Sequence, residues 1–198
     1  MSTVHAGNVA RWFEQLCRIS VERVRDAVRN SPPSLRPGAL PKQGGVYCYW
    51  WTGNTEMLMS RACQRKVTLK GPMGRSVRVE YDEDWLGAEA GYPIPLYVGK
   101  TADSIARRAG LHLLLNSARA IPVFTGTMKQ KRPTTSCQVR AGIDQLFPRV
   151  SDTRDLVLDN IGISWVALDG DENAVNRFYL ETMAIGLMRP ALNIDVER

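Results

Sequence analysis

Apolar residues recur at three- and four-residue steps near the start of the chain: Val9, Trp12, Phe13, Leu16, Val24, Ala27 and Val28. That period predicts one amphipathic helix over residues 8–29, with Arg11, Arg18 and Arg25 on another face. The prolines of "NSPPSLRPG" end it, because proline cannot continue a helix, and residues up to Pro41 read as a linker. The pattern then changes. "GGVYCYWW" at 44–51 is a short apolar run opening on two glycines, and it predicts a strand. "RKVTLKGPMGRSVRVEY" alternates valine with charge around Gly-Pro-Met-Gly and predicts a β-hairpin. "PLYVGKT" and "GISWVALD" predict two further strands. Helices are expected from a cap at Asp103 or Ser104 to about Ser117, over 137–146, within "SDTRDLVLDNI", and over the final "ENAVNRFYLETMAIGLMRPALN".

These elements give an α+β chain: a small mixed or antiparallel three-stranded sheet flanked by helices. The N-terminal helix and linker occupy 1–43, and one domain fills 44–198, with insertions at about 52–94 and 117–160. No apolar run approaches the roughly 20 residues that span a bilayer. The start of the chain shows neither a basic leader nor an apolar core, so no export signal is read. Cys17, Cys48, Cys63 and Cys137 form no C-x-x-C pair and the histidines are only His5 and His112, so no zinc site is expected. Scattered thiols fit a reducing cytoplasm.

Charge adds a partner. The net charge is +6, and it is unevenly spread. Arg107, Arg108, Arg119, Lys129, Lys131, Arg132, Arg140 and Arg149 face a single acid, Asp144, over 104–149. Six basic groups stand against Glu80 over 61–80, whereas 150–198 holds nine acids and four arginines. Basic blocks favour a polyanion, because each neutralised phosphate releases counterions. Two segments are therefore candidates to touch nucleic acid. One is the basic loop with Lys129, Lys131 and Arg132 leading into a helix with Gln138 and Arg140 near its start. The other is the hairpin with Arg65, Lys66, Lys70, Arg75 and Arg78. The alternative is that both segments merely cover the core.

Five short elements carry chemistry: "GVY" at 45–47, "YVG" at 97–99, "RRAGLH" at 107–112, "YLETM" at 179–183 and "PALN" at 190–193. In this order, with Arg108 four residues before His112 and Asn193 twelve after Glu181, they resemble the GIY-YIG nuclease family. The resemblance covers about 44–51, 95–116 and 162–194. Tyr47 and Tyr97 lie fifty residues apart, where the family has a simple hairpin. The family's offset from the second tyrosine points to Arg107; the four-residue step to His112, which shares a helix face, points to Arg108. Arg108 is taken.

The resemblance implies a metal-dependent endonuclease acting on double-stranded DNA. It implies Tyr47 as base or water-positioner, Tyr97 and His112 bonding to phosphate or water, and Arg108 stabilising charge. It further implies Lys100 near the tyrosines, Asn193 fixing local geometry, and Glu181 holding Mg²⁺ or Mn²⁺. Gly45 and Gly99 serve close packing. The residue types make these roles possible. A guanidinium forks onto phosphate oxygens. One carboxylate suits a Mg²⁺ that keeps most of its waters. A phenol with a pKa near 10 is a weak base at neutral pH, and an imidazole near 6.5 is an alternative proton acceptor. A small chain with DNA-reading insertions looks most like a type II restriction or defence endonuclease acting as a homodimer. A homing or repair-type nicking enzyme, a non-catalytic DNA-binding module and an RNA substrate are the alternatives.

Overall fold

The structure is a computed structural model, and it describes residues 6–18, 21–30, 33–70, 76–82, 93–120 and 138–194. The elements in chain order are α1 (Ala6–Arg18), β1 (Glu22–Arg23), α2 (Val24–Ala27), β2 (Val28–Asn30), β3 (Pro33–Leu35), β4 (Gly45–Trp51) and α3 (Thr55–Met59). They continue as β5 (Lys66–Lys70), β6 (Ser76–Glu80), β7 (Ile94–Thr101), α4 (Ile105–Leu113), α5 (Gln138–Leu146), α6 (Arg154–Asn160), β8 (Ile161–Ala167) and α7 (Ala174–Met188). The architecture is α+β. A four-stranded antiparallel sheet runs in the order β1-β8-β4-β7, beside the two-stranded pairs β2-β3 and β5-β6. The three strands expected from sequence gain a fourth, the two-residue β1, which pairs with Ile163 and Gly162 of β8.

The central strand β4 is buried on both faces, which is why its sequence is continuously apolar instead of alternating. Tyr47, Tyr49 and Trp51 point into one core with Ile105 and Leu113 of α4, Val139 and Ile143 of α5, and Val157 of α6. Val46, Cys48 and Trp50 point into the other, with Val9 and Leu16 of α1 and Leu180 and Ala184 of α7.

The single helix expected over 8–29 does not form. The chain is helical to Arg18, pairs briefly as β1 and resumes in α2. Val9 and Leu16 belong to one core, whereas Val24 belongs to the other. One apolar stripe thus serves two faces of the sheet, and the chain must cross the sheet between them. The proline-rich linker also contains structure, the β2–β3 hairpin. The Ser164 hydroxyl takes a bond from Trp50 Nε1 at 2.8 Å and donates to Leu16 O at 2.7 Å, tying β4, β8 and α1 together. The apolar stripe of α1 is therefore occupied inside the chain.

Among the described residues, no helix is long and apolar enough to cross a membrane.

Candidate active site

β7 is an edge strand of the sheet, and the candidate residues gather around it. Tyr47 of β4 sits opposite Gly99 of β7 in the register. A Cβ at Gly99 would lie 2.7 Å from Tyr47 Oη and 2.8 Å from the Tyr97 ring, far inside contact distance. Glycine there lets the Tyr47 hydroxyl reach across β7. Gly45 serves packing likewise: its Cβ would stand 2.2 Å from the Val166 carbonyl of β8. We predict that Gly99→Ala displaces Tyr47, with a stability loss of about 1–3 kcal/mol from overpacking. Unfolding curves of the variant and the wild type check it.

α4 brings the next groups. Ser104 caps it, its side chain accepting from Arg107 N at 3.2 Å, and the helix ends at Leu114 in the left-handed region, earlier than expected. Arg107 and Arg108 point in different directions. Arg107 is exposed and pairs with Asp103 at 2.6 Å on the helix surface. Arg108 is half-buried, and its charge bears on Tyr47, Tyr97 and Tyr49. One turn further, His112 is fully buried, and its Nε2 lies 3.0 Å from Tyr47 Oη. The Tyr97 ring stands 4.7 Å from the imidazole.

Electrostatics limits what these groups can do. Burial pushes Tyr47 above the usual phenol value, Arg108 pulls it back through hydrogen bonding and charge, and the Glu181 carboxylate raises it. The net direction is upward, so at neutral pH Tyr47 is a neutral phenol that positions water or phosphate and does not act as a ready base. Burial, with the Arg108 charge added, lowers His112 to about 3. The imidazole is therefore neutral and a poor proton acceptor, contrary to the reading that made it the easier base.

This shift predicts a pH dependence. Above pH 6.5 neither state protonates His112 and it adds no slope. Below that, the unfolded chain takes up a proton that the folded site refuses until about pH 3. Stability therefore falls by about 1.4 kcal/mol per pH unit on acidification through this window. Urea midpoints measured from pH 7 to 5 should show this extra slope in the wild type and lose it in His112→Gln.

The other half of the site comes from α7. Glu181 is 9% exposed and forms an ion pair with Lys100 of β7. By the β4–β7 register, Lys100 lies on the sheet face opposite to Tyr97 and Gly99, so the Lys100–Glu181 pair sits on the α7 side and the tyrosine–His112–Arg108 group on the α4 side. The influence of Glu181 on Tyr47 shows that the two groups lie within electrostatic range across the strand. Asn193 fixes that strand: its amide accepts from Val98 N at 2.7 Å and donates to Val98 O at 2.8 Å, acting as a short extra strand on the edge.

Does the site suit a divalent cation? Among the described residues, no three His, Cys, Asp or Glu side chains cluster. The lone carboxylate of Glu181 fits a hydrated Mg²⁺ or Mn²⁺ held through one or two oxygens, and a cation there would compete with Lys100.

Tyr49 escaped the sequence reading. It is two residues past Tyr47, hence on the same face, and its ring lies 5.5 Å from His112. Strand alternation alone would have found it.

The proposed DNA-reading helix is corrected. Gln138 is 4% exposed and donates to Leu192 O, and Arg140 is 0% exposed. The Arg140 guanidinium donates to Leu113 O at 3.0 Å and Leu114 O at 3.3 Å, carbonyls at the end of α4, and to Ser117 O and Thr153 Oγ1, both at 2.9 Å. Neither side chain can reach a base. The α5 helix is a core element that caps the helix bearing Arg108 and His112. In the hairpin, Lys66 pairs with Glu80 at 2.9 Å, Arg65 donates to Met59 O at 3.3 Å, and Arg78 is exposed on β6. Lys129, Lys131, Arg132, Arg75 and the side chain of Lys70 lie outside the described residues. The five-residue α3, capped by Asn54, was not expected either.

Comparison with family models, curated proteins and solved structures found no match.

Proposed function

We propose that this chain is a metal-dependent endonuclease that hydrolyses DNA phosphodiester bonds, on a core of the GIY-YIG type. In this reading β4, β7 and β8 are the family's three strands, and β1 is an addition. One observation carries the proposal. Tyr47, Tyr97, Arg108 and His112 meet from one side of an edge strand, and Lys100 with Glu181 meets from the other.

Hydrolysis adds negative charge to the phosphate in the transition state, and preorganised cations stabilise it where water is excluded. Arg108 does this with a planar fork whose Nε is buried without a protein partner. Tyr47, neutral and tethered to His112, orients the attacking water or a phosphate oxygen. Tyr97 flanks the same space. Lys100 holds Glu181 in place and adds positive charge. Mg²⁺ or Mn²⁺ bound by Glu181 would supply further charge to the phosphate and a more acidic water. Cutting both strands with one site per chain calls for two chains, and a homodimer is part of the proposal. A non-catalytic DNA-binding module on this core would lack the arginine or the glutamate, and both stand in the site.

The test is incubation of the purified protein with phage and plasmid DNA plus Mg²⁺, with RNA as a parallel substrate. Discrete DNA fragments support a restriction or defence enzyme. Random nicking moves the reading toward a repair-type enzyme. Digestion of RNA alone removes DNA as the substrate.

A further inference from the structure

Phe178 and Tyr179 are large aromatic residues left in solvent, 44% and 50% exposed, on the helix that carries Glu181. Their rings meet edge to face at 5.7 Å. Phe178 is one turn before Glu181, and Lys100 Nζ lies 5.5 Å from the centre of its ring. The same Lys100 forms the ion pair with Glu181. An aromatic face is thus continuous with the proposed phosphate site, and a cation joins the two. Neither aromatic belongs to either buried core.

We propose that Phe178 and Tyr179 form a stacking platform for a nucleobase next to the scissile phosphate. The inference rests on the nuclease reading and narrows it: the substrate is bound with a base unstacked beside the cut. Charge complementarity selects the occupant. A ligand that sets a phosphate at this edge beside Lys100 and a flat group on the rings is a polyanion with aromatic parts, and nucleic acid carries a base next to each phosphate. In paired B-form DNA the bases face inward, so this platform is filled only when the duplex opens locally or is already single-stranded. Stacking accepts any base, so the platform contributes affinity and position and leaves sequence preference to other groups.

The experiment measures binding of a fluorescein-labelled oligothymidine of about twelve nucleotides, long enough for one such groove. Wild type, Phe178→Leu, Tyr179→Leu and Phe178→Trp are compared in EDTA, with plasmid cleavage in Mg²⁺ measured on the same preparations. Leucine keeps apolar bulk and removes the π-face. The expected result is a loss of single-strand affinity of about 5- to 150-fold in each leucine variant, with affinity kept in Phe178→Trp. Unchanged affinity in the leucine variants, with plasmid cleavage intact, overturns the platform and leaves the nuclease standing. The same holds if those variants merely convert a dimer to a monomer on a sizing column, for then a second copy covers the face. If the wild type neither binds nor cuts DNA, the function itself fails and the platform with it.

Discussion

Glu181→Gln should lower Mg²⁺-dependent DNA cleavage by about 100- to 1,000-fold, the usual effect of removing one preorganised electrostatic group. Glutamine matches the shape of glutamate and keeps a carbonyl oxygen for Lys100, so the ion pair becomes a neutral hydrogen bond and the helix stays in place. What disappears is the charge. Within the described residues no other carboxylate, histidine or cysteine joins Glu181 in a cluster that would take over a cation. Added Mg²⁺ should therefore not restore the rate. The Lys100 and Glu181 side chains are 19% and 12% exposed, so the substitution also has a stability cost, on the order of 1 kcal/mol. A melting curve on the same sample separates that cost from the catalytic loss. A cleavage rate equal to that of the wild type would remove Glu181 from the mechanism.

Arg140→Leu should be strongly destabilising. Its guanidinium is fully buried and donates to the carbonyls that end α4, to Ser117 and Ala118, and to Thr153. Asp144, also buried, lies 3.6 Å from Arg140 Nε and accepts from Thr153. Leucine takes the side-chain donor from Leu113 O and Ser117 O, while Leu114 O and Ala118 O keep Ser117 N and Thr153 N, and it removes the nearer counter-charge of Asp144, leaving Arg119 at 4.0 Å. Breaking a buried charge pair by removing one partner costs about 3–5 kcal/mol. For a chain of this size each kcal/mol moves the melting temperature by about 2–4 °C, so a drop of roughly 10 °C is expected. If Arg140 read DNA instead, the variant would keep its melting temperature and lose affinity. The two accounts thus predict opposite pairs of results.

Arg140 also shows where sequence and structure part. An arginine in the first turn of a helix that follows a basic loop looks like a DNA contact. Nothing in its local pattern tells that α4 ends nearby with carbonyls for it to bond, because that meeting of two helices is tertiary. Arg107 and Arg108 make the reverse case. The four-residue step to His112 is local, and it picked the arginine that faces the tyrosines. β4 was legible as a short apolar run, and β7, β8, α4 and α7 from equally local patterns, with Ser104 and Pro190 bounding two of them. The N-terminal stripe failed because a helical period says which residues are buried and not against which face. The Lys100–Glu181 pair was legible only as two candidates, since a separation of eighty-one residues carries no spacing signal.

The central claim is that one edge of the sheet grips a scissile DNA phosphate, with Arg108 as its main cation. The most direct measurement is the nicking rate of supercoiled plasmid by Arg108→Ala beside the wild type, at matched folded concentration in Mg²⁺. The account predicts a loss of about 1,000-fold or more, the scale seen when an arginine that stabilises transferring phosphate is removed. Equal nicking by the two proteins would contradict it.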